Sequence, residues 1–175
     1  MKPTVVLFAV TVFGLIQSGC VTSSPEASSF PNPALSATYG EADLSRGGTT
    51  TISLVAGGEF DSSDISSACR GMIYDRPDYV FNVTTSGTDA LLIAAASDSD
   101  TTVVVYGPDN RWYCDDDSAG GLNPIVTIGR AMAGRYAVWV GTHNGGYANA
   151  VLGASLATPS SAGAGTGGGT PTFIN

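Results

Sequence analysis

Residues 134–141 read GRYAVWVG, and within them Tyr136, Val138 and Val140 recur at every second position. A period of two places alternate side chains on one face of a strand, so this stretch predicts a β-strand. Seven further runs are similarly rich in β-branched and aromatic residues, with Gly, Pro, Asn and Asp clusters between them. The eight runs span 49–56, 78–84, 90–97, 102–106, 111–114, 125–128, 135–141 and 147–156. About eight short strands without a long helical pattern predict an all-β fold, a jelly-roll-like antiparallel β-sandwich.

The N-terminus is typical of an export signal. Lys2 precedes an apolar run, 5–16, that is too short to span a bilayer. Residues 15–20, LIQSGC, resemble the lipobox of bacterial lipoproteins, in which the cysteine becomes the first mature residue and carries acyl chains such as palmitate. The resemblance implies lipidation at Cys20 and, with Val21 next, delivery to the outer membrane. A periplasmic or secreted protein with an incidental cysteine is the alternative.

The predicted organisation has four parts. A lipoprotein-type signal peptide occupies 1–19, and a Ser-, Pro- and Ala-rich tether follows over 20–38. The sandwich occupies 39–157, and a flexible Gly/Ser/Thr tail occupies 158–175. The tether and tail lack hydrophobic periodicity, so we expect them to form no core of their own.

The charge balance excludes several functions. The chain has 15 acidic and 7 basic residues and a net charge of -8, which argues against binding nucleic acid. Lys2 is its only lysine and His143 its only histidine. Most acid–base, Schiff-base and zinc chemistries therefore lack their usual side chains.

Two cysteines, Cys69 and Cys114, remain once Cys20 is assigned to lipid. In an oxidising compartment a pair of cysteines predicts a disulfide. A reactive thiol is the alternative, but Cys114 precedes Asp115, Asp116 and Asp117, whose charges disfavour a thiolate.

Several acidic residues are predicted to meet at one end of the sandwich. If the strands from residue 90 onward run alternately up and down, the loops that follow 97, 114 and 141 share that end. These loops contain Asp98, Asp100, Asp115, Asp116, Asp117, Asn123 and His143.

Calcium is the candidate cofactor of this end, because it takes oxygen ligands from carboxylates, amides and carbonyls in flexible loops. The predicted ligands are Asp98, Asp100, Asp115, Asp116, Asp117 and Asn123. The site would not be an EF-hand, because Val126 stands where a loop beginning at Asp115 needs glutamate. Alternatively, the aspartates only cap turns and keep sheet edges soluble.

A serine-protease interpretation rests on residues 117–121, DSAGG, which look like the nucleophile segment of chymotrypsin-like proteases. In that family the histidine precedes the serine, whereas His143 follows Ser118 here, and Ala119 replaces a glycine. A small hydrolase using Ser118 and His143 is therefore a remote alternative.

The chain from about 79 to 156 also resembles bacterial pre-peptidase C-terminal domains. The similar segments are DSDTT (98–102), GPD (107–109), WYCDD (112–116), GLNP (121–124) and GRYAVWVG (134–141). The resemblance implies a secreted or surface-bound, non-catalytic, jelly-roll-like sandwich that is sometimes calcium-stabilised and often attached to proteases.

The sequence thus favours a non-catalytic cell-envelope lipoprotein. Its partners would be the membrane, through the lipid anchor, and an extracellular protein or polysaccharide bound with or without calcium. A structural or protein-interaction module of the protease-accessory type, without metal, is the alternative.

Overall fold

Residues 30–158 are the part of the chain that the computed structural model describes, and they form two β-sheets packed face to face. Sheet A contains β1 (Glu41–Ser45), β3 (Phe60–Asp61), β4 (Met72–Ile73), β5 (Tyr79–Thr84), β7 (Thr101–Tyr106), β8 (Trp112–Asp115) and β10 (Gly134–Thr142). Sheet B contains β2 (Thr49–Gly57), β6 (Ala90–Ala96), β9 (Ile125–Ile128) and β11 (Tyr147–Ala157). The predicted all-β sandwich is confirmed.

All eight predicted strands are present, with ends within one residue of the predicted ones. The sequence did not reveal the other three, β1, β3 and β4. In β1 only Ala42 and Leu44 face the core, and the other three residues are exposed and polar. Strands β3 and β4 have two residues each, too few to show alternation.

The two sheets differ in the order and direction of their strands. Sheet B has the order β2-β11-β6-β9, with antiparallel pairs throughout. In sheet A, β10 lies between β5 and β7, and β8 pairs with the outer side of β7. Strand β1 runs parallel to β5, the one departure from antiparallel pairing among residues 30–158.

The main core lies between the sheets and follows the period of two. Tyr136, Val138 and Val140 of β10 point into it, as the sequence predicted, and belong to the same buried cluster as Leu152 and Leu156 of β11. Burial of such side chains contributes about 1.5–3 kcal/mol each, which makes this layer the main source of stability.

A second cluster covers the outer face of sheet A. Trp139 is fully buried there, and its ring centroid lies 5.3 Å from that of Trp112. Phe60 and Ile65, from the segment that precedes β4, pack on this cluster from outside. The predicted disulfide between Cys69 and Cys114 is confirmed and links this covering segment to β8.

A buried carboxylate bridges a gap in the hydrogen-bond ladder beside β10. Strand β5 pairs with β10 up to Val138, and β4 resumes the pairing only at Thr142. Between them, the Val140 N–H donates to Oδ2 of Asp78 at 2.7 Å. Asp78 is 1% exposed, and this burial raises its pKa to about 7 against the lowering effect of the Val140 hydrogen bond.

The residues that precede β1 contact the sandwich. The Arg135 guanidinium donates to the carbonyl oxygens of Pro33 and Leu35, and Asn32 N–H donates to the Asp75 carbonyl. Contacts with the domain therefore begin inside the predicted 20–38 tether. The predicted signal peptide, Cys20, the predicted tether up to residue 29 and the predicted tail from residue 159 lie outside the described residues. Within 30–158 no helix has the length and apolarity needed to cross a membrane.

Candidate functional site

Three loops meet at one end of the sandwich, as the up-and-down argument predicted. They connect β6 to β7, β8 to β9 and β10 to β11, and the antiparallel pairing of β10 with β7 sets Thr142 opposite Thr101 at this end. We call the polar surface of these loops the acidic rim. It consists of Asp98, Asp100, Asp115, Asp116, Asp117, Asn123 and His143.

His143 lies between two carboxylates of the acidic rim. Its Nδ1 is 3.7 Å from Oδ2 of Asp100, and its Nε2 is 4.0 Å from Oδ2 of Asp116. The His143 backbone N–H also donates to the Asp100 carbonyl at 3.1 Å, which joins the β10–β11 loop to the β6–β7 loop. The imidazole is 39% exposed, so a ligand from solution can reach it.

Asp115 organises the β8–β9 loop. Its Oδ2 accepts hydrogen bonds from the backbone N–H groups of Ser118 at 2.9 Å and Ile125 at 2.8 Å. Its Oδ1 accepts one from the Ser118 hydroxyl at 2.5 Å. Since Ile125 begins β9, Asp115 links sheet A to sheet B at the acidic rim.

Asn123 performs a similar linking function. Its Oδ1 accepts a hydrogen bond from the Ser97 N–H at 3.0 Å, and the Ser97 hydroxyl donates to the Asn149 carbonyl at 2.8 Å. The Thr101 N–H donates to the Leu122 carbonyl at 3.2 Å. The loops are thus cross-linked to each other, which fixes the positions from which the carboxylates project.

The remaining carboxylates of the acidic rim have spare acceptor capacity. The Asp98 and Asp117 side chains are exposed and accept no hydrogen bond from residues 30–158. Oδ1 of Asp100 is buried and likewise lacks a hydrogen-bond partner. Within the described residues no arginine lies within 4.0 Å of an acidic-rim carboxylate.

The calcium site stays a prediction. Within 30–158 no group of three or more His, Cys, Asp or Glu side chains is placed to hold a metal ion. The structure does bring the loops of the six predicted ligands together, but it uses the oxygens of Asp115 and Asn123 in hydrogen bonds within the loops.

The two residues of the hydrolase hypothesis are not hydrogen-bonded to one another. The Ser118 hydroxyl donates to Asp115, while the ring of His143 faces Asp100 and Asp116. Nucleophilic catalysis needs the serine hydroxyl within hydrogen-bond reach of its base, and this arrangement does not provide that contact.

A cleft beside the acidic rim was not foreseen from the sequence. It has a volume of about 310 Å³ and is lined by Asp61, Ser63, Arg70, Gly71, Met72 and His143. All of these except His143 belong to the segment that the Cys69–Cys114 disulfide holds over sheet A. The Arg70 guanidinium donates to the carbonyls of Ser67 and Cys69, so this cation is engaged in holding its own segment.

No protein-family model matches the sequence, and no curated protein matches it. Two solved structures resemble the chain. One is the periplasmic inhibitor of g-type lysozyme from Aeromonas hydrophila, at 9% identity and a TM-score of 0.39, over 66% of this chain and 98% of the inhibitor. The other is the pre-peptidase C-terminal domain of a Bacillus anthracis collagenase, at 14% identity and a TM-score of 0.38, over 66% and 93%. The family resemblance drawn from the sequence segments stays a hypothesis.

Proposed function

We propose that this protein is an exported, non-catalytic binding module of the cell envelope, with the acidic rim as its binding surface. The observation that carries the proposal is the convergence of three cross-linked loops that together bear five carboxylates, two of which face His143. No described arginine neutralises these carboxylates at close range. Such a concentration of negative charge favours a cationic ligand.

Calcium is the cation that these groups suit best. The carboxylates of Asp98 and Asp117 and Oδ1 of Asp100 are hard oxygen donors without hydrogen-bond partners among residues 30–158. Calcium accepts six to eight such oxygens in irregular geometry and fills the remaining positions with carbonyls and water. Binding would replace repulsion among the carboxylates with attraction to the ion.

Calcium is expected to raise the melting temperature of the purified protein. Extracellular calcium modules have dissociation constants of about 10^-4 to 10^-3 M, and tenfold excess over that value stabilises by about 1.4 kcal/mol. For a domain of this size the shift is about 5 °C. Melting curves in EDTA and in millimolar calcium measure it, with magnesium expected to give less because it requires near-octahedral geometry.

Matched variants locate the calcium effect. Asp98→Asn and Asp117→Asn each remove one exposed negative charge from the acidic rim and should reduce the shift, whereas Asp43→Asn removes an exposed charge from β1 and should leave it intact. An equal shift in all three variants, or none in the wild type, would contradict calcium binding at the rim.

A metal-free module is the second candidate, and one observation favours it. Asp115 and Asn123 direct their side-chain oxygens to backbone N–H groups of the loops, which is what turn-capping residues do. On this alternative the rim is a structural cap or a protein-interaction surface of the protease-accessory type. An unchanged melting midpoint with calcium would favour it.

We propose that a lipid on Cys20 anchors the protein in the cell envelope. The Cys69–Cys114 disulfide fits an exported protein, since such bonds persist in oxidising compartments. We expect wild-type protein in the membrane fraction and a Cys20→Ser variant in the soluble fraction, because several acyl chains anchor stably. Cell fractionation with mass spectrometry of the N-terminus tests this. An unmodified, soluble wild type would exclude the anchor but not the binding module.

A further inference from the structure

The strands of sheet B contain no charged residue. β2, β6, β9 and β11 include no Asp, Glu, Lys, Arg or His, although the chain has a net charge of -8. Their inward side chains form the main core, and alternate residues face outward. Sheet B therefore presents solvent with a broad neutral face on a strongly acidic protein.

The outward side chains beside β11 are mostly short and polar, apart from Val55 of β2, which is 39% exposed and lies opposite Asn149. Thr51 and Ser53 of β2 are exposed, and Asn149 and Val151 lie beside them on β11. They border an open trough of about 680 Å³ that reaches Ala96 of β6. Hydroxyl and amide groups both donate and accept hydrogen bonds, and short side chains on a sheet lose little entropy when a ligand binds.

Tyr147, two residues before Asn149, lies on the same outward face of β11. Tyr147 is 60% exposed, and its ring stacks on that of Tyr74 at a centroid distance of 6.1 Å and an interplanar angle of 19°. The ring also lies over Gly57, where a Cβ would come within 2.8 Å of it.

We propose that the outer face of sheet B binds a neutral glycan chain along the row from Tyr147 to Val151. The apolar face of a sugar ring packs against an aromatic side chain, and its hydroxyl groups match the alcohol and amide side chains of Thr51, Ser53 and Asn149. Asp98 lies at one end of the trough and disfavours anionic polymers. The row from Tyr147 to Val151 contains no predicted calcium ligand, although two of those ligands, Asp98 and Asn123, line the trough. Glycan binding along this row does not require the ion.

Binding of neutral oligosaccharides by the full purified chain tests the proposal. We expect cellohexaose or chitohexaose to bind with a dissociation constant below about 1 mM by isothermal titration calorimetry. A hyaluronan hexasaccharide, which is anionic, should bind at least ~10-fold more weakly because of the charge of the protein. The titrations are run in EDTA, so that failure of the calcium proposal does not affect them.

Four variants assign the site. Tyr147→Ala should weaken binding about tenfold through loss of the stacking surface. Thr51→Glu places a charge beside the trough and should abolish binding, whereas Thr84→Glu places the same charge on an exposed position of β5 in sheet A and should not. Melting curves check that each variant is folded, and Tyr147→Phe, which keeps the ring, should retain most of the affinity.

Three outcomes would overturn the proposal. The first is that neither neutral hexasaccharide binds, and the second is that both Tyr147→Ala and Thr51→Glu bind as the wild type does. The third is a dimer by light scattering that Thr51→Glu dissociates, which would identify the neutral face as a contact between two copies of this chain.

Discussion

Replacing Asp78 with asparagine is expected to stabilise the protein at pH 8 by about 4 kcal/mol and to remove most of the pH dependence of its stability between about pH 4 and pH 7. The carboxyl is 1% exposed, and burial raises its pKa from 3.8 to about 7. Asparagine keeps an oxygen that can accept the Val140 N–H, and it has no charge to bury.

The direction of this pH dependence follows from the proton that Asp78 retains in the folded protein. Below about pH 4 the Asp78 carboxyl is neutral in the folded and the unfolded chain, so its contribution to stability is fully present. Between about pH 4 and 7 the unfolded chain releases this proton and the folded protein holds it. Stability is therefore lost as the pH rises through the folded pKa of about 7.

Chemical denaturation at pH 4, 6 and 8 measures the effect. Asp43→Asn, at an exposed position of β1, is the matched control and should keep the wild-type pH dependence. Asp78→Ala should be less stable than Asp78→Asn at every pH, because it leaves the Val140 N–H without its acceptor. Equal pH profiles for wild type and Asp78→Asn would show that Asp78 is ionised in the folded state.

Removing the disulfide is expected to lower the free energy of unfolding by about 4 kcal/mol, because the bond closes a long loop in the unfolded chain. The cysteines are 45 residues apart, and the bond holds the segment before β4 over Trp139. In the double variant Cys69→Ser/Cys114→Ser this segment should loosen, and the second cluster should admit water.

Tryptophan fluorescence detects the entry of water into the second cluster. The chain has two tryptophans, Trp112 and Trp139, and both belong to the second cluster. The double variant should therefore show red-shifted emission as well as a lower urea midpoint. Cys20→Ser is the control, because Cys20 is not part of the disulfide. Unchanged emission and an unchanged midpoint in the double variant would show that the bond does not hold the covering segment.

The convergence of the acidic loops could be predicted, but the roles of individual residues could not. Asp115 and Asp116 are neighbours of the same type, yet Asp115 accepts three hydrogen bonds within its loop while Asp116 faces His143. The difference arises because Asp115 ends β8 with its side chain directed toward β9. The cleft beside His143 depends on a segment that is distant in sequence, so no local pattern indicated it.

By itself the sequence determined eight of the eleven strands in the described residues, the disulfide and the end of the sandwich at which the acidic loops meet. Each of these follows from a local or countable property: alternation of side chains, two remaining cysteines, and the up-and-down course of consecutive strands. Only the tertiary structure decided the environment of Asp78, the parallel pairing of β1 and the exposure of a neutral face on sheet B. These depend on which strands become neighbours, and alternation along a strand shows that one face is buried without showing what lies beside it.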